Sequence, residues 1–134
     1  MRRISHAFSY FSSRRADTTP SESKIKKLFL AAITGDLPTV KRYIRKYPGH
    51  IDVRRGDESY TALTAAVLKH RMDVVDALLD AGASDDARDA NNLSPRKYAE
   101  ANGYKDIIDL MDKKAEERAA KAKARQEQKA AARL

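Results

Sequence analysis

The chain has 134 residues, enough for one domain, with 27 Lys and Arg against 19 Asp and Glu, a formal net charge of +8 and no cysteine. The missing cysteine excludes a disulfide framework, a thiol nucleophile and a cysteine metal site, and it fits a reducing compartment. No apolar run approaches the ~20 residues that cross a bilayer, and the N-terminus lacks the apolar core of a secretory signal.

Residues 1–19 read as a basic, Ser/Arg-rich tail. Ile4, Ala7, Phe8 and Phe11 fall at helical spacing among Arg2, Arg3, Arg14 and Arg15, and no acid precedes Asp17. That pattern suits a mitochondrial presequence or a membrane-surface helix, but the window is short and a disordered tail with a chance period is the first reading. Arg2-Arg3-Ile4-Ser5 also fits a basic-directed kinase site, a short pattern of low specificity. Thr19-Pro20-Ser21-Glu22 then has the form of a capping box with proline at the first helical position, predicting a helix from there to about Thr34.

Three residues, Gly35, His70 and Gly103, each separate two short apolar helix patterns, at intervals of 35 and 33 residues. A period near thirty-three built as helix, tight turn, helix predicts a solenoid. Four residues before each turn stand Ala31, Ala66 and Ala99, small enough for close helix crossing. Five residues after it stand Val40, Val75 and Ile108, placed to fill the space between repeats. The turn residue itself is expected in the left-handed conformation, free for glycine and costly for His70. Between the first two copies, Tyr47-Pro48-Gly49-His50 and Gly56-Asp57 flank Ile51-Asp52-Val53, predicting an extended finger that also holds the two extra residues of the first period.

The fullest copy reads Thr61-Ala62-Leu63-Thr64-Ala65-Ala66, then Val74-Val75-Asp76-Ala77-Leu78-Leu79, then Ala81-Gly82-Ala83. It resembles the ankyrin repeat, and the third copy agrees through Ser94-Pro95, Ala99, Asn102-Gly103-Tyr104 and Ile107-Ile108-Asp109-Leu110-Met111. The first copy agrees through Leu28, Ala31-Ala32, Gly35-Asp36-Leu37 and Val40. Ala62 departs from the usual helix-starting proline, and Phe29, Thr64 and Lys97 stand where the family usually has histidine. The resemblance implies an all-α ankyrin repeat solenoid over residues 20–112, three helix-turn-helix repeats with short β-hairpin fingers. Three repeats are about the minimum that buries a continuous core.

The charge is unevenly distributed. Residues 24–55 hold nine basic side chains against Asp36 and Asp52, whereas residues 56–92 hold three against eight acidic ones. A stacked solenoid turns that order into a positive end and a negative middle. Residues 113–134 hold eight basic residues against Glu116, Glu117 and Glu127, with eight Ala and neither Gly nor Pro. This basic Ala/Lys/Arg-rich tail is expected to be helical and to prolong the last repeat, supported by Glu117 four residues before Lys121. Either it is a solvated helix without a partner, or it docks or contacts nucleic acid.

Catalysis finds no support. His6, His50 and His70 lie in a tail, beside turn residues and at a helix end, with no nucleophile to serve, and no glycine-rich phosphate loop follows a strand. Asp85-Asp86-Ala87-Arg88-Asp89 superficially resembles an aspartate-rich magnesium motif, but it follows Ala81-Gly82-Ala83 into an exposed finger. Asn92-Leu93-Ser94 matches a glycosylation acceptor only formally, since Pro95 follows. No enzyme, cofactor or metal is expected.

The resemblance implies a non-catalytic module that binds a protein through the concave face of its first helices and its finger tips. Carried onto this chain, the positions just before each turn are Ile33 and Thr34, Leu68 and Lys69, and Ala101 and Asn102, and the nearby finger residues are Asp57, Glu58, Tyr60, Arg88 and Asn91. Ile33, Leu68 and Tyr60 are the expected apolar anchors, unless they fold against each other or against a tail. The alternative is an accessory subunit whose basic tails hold nucleic acid or neighbouring subunits. An isolated monomer in the cytoplasm is expected, with mitochondria as the alternative through residues 1–19.

Overall fold

The computed structural model describes residues 19–133. Among them are six helices in chain order: α1 (Glu22–Thr34), α2 (Leu37–Lys46), α3 (Ala62–Leu68), α4 (Met72–Asp80), α5 (Pro95–Ala101) and α6 (Lys105–Ala132). Each successive pair packs together, and the pairs stack so that α1, α3 and α5 form one layer while α2, α4 and α6 form the other. The core lies between the layers and between the repeats, filled by Leu28, Val40, Leu63, Val67, Val74, Leu78, Ile107 and Met111. Burial of each large aliphatic side chain contributes about 1.5–3 kcal/mol.

The three turns share one geometry. Gly35, His70 and Gly103 are all left-handed, at φ 83°, 54° and 69°. The N–H of the next residue reaches back to the carbonyl of the constrained alanine: Asp36 to Ala31, Arg71 to Ala66 and Tyr104 to Ala99, each at 2.9 Å. This closes the helix end in the Schellman manner, and it places a buried methyl group where the paired helices cross.

Four of the six helices begin on side-chain caps, from Ser21, Asp36, Thr61 and Ser94. Thr61 Oγ1 accepts from the Thr64 N–H at 3.3 Å, and Ser94 Oγ accepts from the Lys97 N–H at 3.2 Å. The buried Thr64 hydroxyl lies 3.1 Å from that of Thr61, so it serves its own helix. At the first helix the cap is Ser21, which accepts from Lys24. The expected start at Thr19 is thus two residues early, and Pro20 stands outside the helix. Both Thr19 and Ser21 are good caps, and it is Ser21 whose oxygen meets a free N–H.

Three further expectations are corrected. The fingers form no β-strand among the described residues: the first is closed by a single antiparallel bridge between Arg55 and Tyr60, and Ile51 and Asp52 form a turn instead of an extended segment. The two extra residues of the first period are divided, because α2 has ten residues where α4 has nine, so the finger takes only one. Val40 and Val75 are fully buried, but Ile108 is only partly so, since among the described residues no fourth repeat packs beyond it.

The last helix runs without interruption through residue 112, and 28 residues at ~1.5 Å each give it a length of about 42 Å. From residue 115 onward every described position is exposed. The amphipathic pattern of Ile4, Ala7, Phe8 and Phe11 lies outside the described residues.

Candidate functional site

The end of each inner helix presents one apolar position two residues before the left-handed turn. Ile33 on α1 is 38% exposed, Leu68 on α3 is half-buried and Ala101 on α5 is exposed, so the stack carries an accessible apolar row across all three repeats. Thr34, Lys69 and Asn102 follow them, all exposed. Thr34 bonds back to the Leu30 carbonyl and Asn102 to the Tyr98 carbonyl, which holds both side chains against their own helices. Lys69 is the cation of the row. Leu30, one turn before Ile33, is 59% exposed and enlarges the apolar surface at the first repeat. The repeat alignment hides it, because its counterpart Ala65 is buried.

The two fingers are tied to one another. The Ala90 N–H donates to the Glu58 carbonyl at 2.8 Å, Asn91 Nδ2 donates to Glu58 Oε2 at 2.7 Å, and the Arg54 guanidinium donates to the Arg88 carbonyl. Asp57 remains exposed at the tip of the first finger, while Arg88 reaches Asn92 Oδ1 at 3.2 Å. Glu58, Asn91 and Arg88 are therefore committed in part to holding the finger edge as a unit.

Tyr60 joins the fingers to the helices. Its ring is half-buried and meets the Tyr98 ring edge-to-face, with centroids 6.2 Å apart. The Tyr98 hydroxyl in turn donates to the Asp89 carboxylate, which also accepts the N–H groups of Asn91 at 2.9 Å and Leu93 at 3.0 Å. Burial alone would raise the pKa of Asp89, but the bonds from Tyr98, Leu93 and Asn91 outweigh it and hold the carboxyl below its usual range. Burial and the same carboxylate push the Tyr98 hydroxyl upward. Tyr60 is thus only partly accessible, and its ring serves the fold.

Asp89 and Tyr98 are site-supporting residues that sequence reasoning missed. Asp89 sits two residues before Asn91 and four before Leu93, the spacing at which an aspartate side chain orders a turn, and Asn92 occupies the left-handed region at φ 64°. Of the other carboxylates in that finger, Asp85 pairs with Arg96 at 3.2 Å. No cluster of three potential metal ligands occurs among the described residues.

Across the outer layer the charges pair between repeats. Lys114 lies 2.9 Å from Asp76 and 2.5 Å from Asp80, both on α4, and 3.9 Å from Glu117. The hydrogen bonds it donates to Asp80 and Asp76 raise its pKa. Glu117 therefore meets Lys114 and not the expected Lys121. At the positive end, Lys24, Lys27, Arg42 and Lys46 surround a cavity of about 130 Å³ beside Tyr43 and Tyr47.

Paired helices joined by left-handed turns, with an exposed inner face and linked fingers, define a helical repeat solenoid. A sequence profile described as ankyrin repeats (3 copies) matches residues 28–120, and the chain belongs to the ankyrin repeat family. Members of this family are generally protein-protein interaction modules without catalytic chemistry. No curated protein matches the sequence. No helix among the described residues is long and apolar enough to cross a membrane.

Proposed function

We propose that this chain is a non-catalytic adaptor that binds a protein partner across its inner-helix face and finger tips. The observation that carries the reading is the row Ile33, Leu68 and Ala101, extended by Leu30, where large aliphatic side chains remain accessible at helix ends that need no such residue for stacking. A partner lying on this row would cover Ile33 and Leu68 at its centre and meet Lys69, Asp57 and Arg88 at its rim, so apolar burial sets affinity and the charges set orientation. The tied fingers present Glu58 and Asn91 as a prearranged edge, which lowers the ordering cost of binding.

A polypeptide without cysteine suits a reducing compartment, and the cytoplasm is the proposed location. The unit acting here is residues 20–112, with the part of α6 beyond residue 112 as a separate contact element. Quantitative co-precipitation of the full chain and its Leu68→Asp variant from the same extract tests the reading. Partners that depend on the inner face are lost from the variant while its helical circular dichroism is retained. A partner set that is unchanged by Leu68→Asp and Ile33→Asp together contradicts it.

A further inference from the structure

The protruding part of α6 has a single kind of surface to offer. Between residues 113 and 133 its only apolar side chains are alanines, and no aromatic residue follows Tyr104. It therefore lacks the large apolar groups that insert into a lipid interface, pair in a coiled coil or anchor a protein contact. It also lacks the rings on which unpaired bases stack.

Its charges, however, are sorted. Arg118, Lys121, Arg125 and Lys129 follow one another at intervals of three, four and four residues, so they share one face of the helix, and all four are exposed. Glu116 and Glu127 fall on the opposite face at 100° per residue, with Lys123, and Glu117 lies at the margin, held by Lys114. Lys114 begins the row but is consumed by Asp76 and Asp80, which fixes the direction of the face toward α4. Four cations remain, spread over about 16 Å of a slim, Ala-faced rod.

We infer that this row binds the phosphate backbone of double-stranded nucleic acid, independently of base sequence. Duplex carries one phosphate charge per about 1.7 Å of axis, so a cationic row of this length meets a continuous line of opposite charge and releases condensed counterions. The slender alanine sides allow the helix to approach or enter a groove about 12 Å wide. This surface is on α6 and is independent of the inner face proposed for the protein partner.

The test is fluorescence anisotropy of a labelled 20-base-pair duplex titrated with the full chain at several salt concentrations. The unaltered chain is expected to show a log–log salt dependence of at least 3. A variant with Arg118, Lys121, Arg125 and Lys129 all replaced by Gln should bind more than tenfold more weakly at 0.1 M salt and lose about 3 to 4 from that slope, at about 0.9 per phosphate contact. Gln preserves helix propensity, which circular dichroism checks. The comparison variant replaces Lys24, Lys27, Arg42 and Lys46 by Gln, giving the same net charge from the other end of the stack. Equal loss in both variants, unaltered binding in the first, a wild-type slope below 2, or binding to phosphatidylserine vesicles without binding to duplex would each overturn the inference.

Discussion

His70 and Asp106 join the second repeat to the third: the imidazole Nε2 lies 2.8 Å from Asp106 Oδ2, and the ring stacks on Tyr104 with centroids 4.4 Å apart. The left-handed backbone at His70 costs ~1–2 kcal/mol relative to glycine, so from sequence alone His70→Gly looks stabilising. The stack, at about 0.5–1.5 kcal/mol, and the exposed hydrogen bond to Asp106, at about 0.5–1.5 kcal/mol, offset that cost. His70→Gly is therefore expected near neutral, whereas His70→Ala keeps the strain, loses both contacts and should cost about 1–2 kcal/mol. Urea denaturation of the two variants checks the difference.

Ala66 is fully buried and its carbonyl receives the Arg71 N–H that closes the turn. Ala66→Leu should overpack the middle helix pair and lower stability by about 1–3 kcal/mol, read as a lower urea midpoint. Ala66→Ser, with almost the same volume, should cost much less.

Asp89 gives the fold an acid sensitivity. Its carboxyl is held below the usual range, so the stabilisation is complete above the unfolded value of about 4 and is lost as pH falls through the lower folded value. Asp89→Asn should cost about 1–3 kcal/mol at neutral pH by leaving the Tyr98 hydroxyl and two N–H groups poorly served. The gap between variant and wild type should narrow as the pH drops below 4 in a series of thermal melts. A gap that is constant down to pH 2 would mean that the charged form is not what those donors select.

Tyr60 separates fold from binding less cleanly than its sequence position implies. Because its ring packs against Tyr98, Tyr60→Ala should lower the melting midpoint, at about 1–3 kcal/mol, as well as weaken a partner. Leu68→Asp, at a half-buried helix end, should lower the midpoint modestly, by about 1 kcal/mol, without unfolding the stack, as differential scanning fluorimetry would show.

The repeat was legible because its turns impose a local requirement that single residues reveal. Gly35 and Gly103 declare a left-handed turn, and the alignment with them exposes His70 in the same role. Ala31, Ala66 and Ala99 were equally plain, since crowding limits their size. The fingers were not: Ile51-Asp52-Val53 has strand-like composition, yet Asp52 instead accepts the Ser84 N–H at 3.0 Å, a partner 32 residues away that no local pattern announces. The supporting triad of Tyr60, Tyr98 and Asp89 was hidden for the same reason, because three segments converge there only after stacking. The exposure of Leu30 depends likewise on its place at the margin of the stack, where no earlier repeat among the described residues covers it.

The central claim is that the inner face, and not the outer layer, meets a protein partner. A photo-crosslinking residue placed at position 68, at position 33, or at the exposed position 73 on α4 tests it in the full chain. The account predicts a protein adduct of defined mass from positions 33 and 68 and none from position 73. Adducts from position 73 with none from 33 or 68 would contradict it.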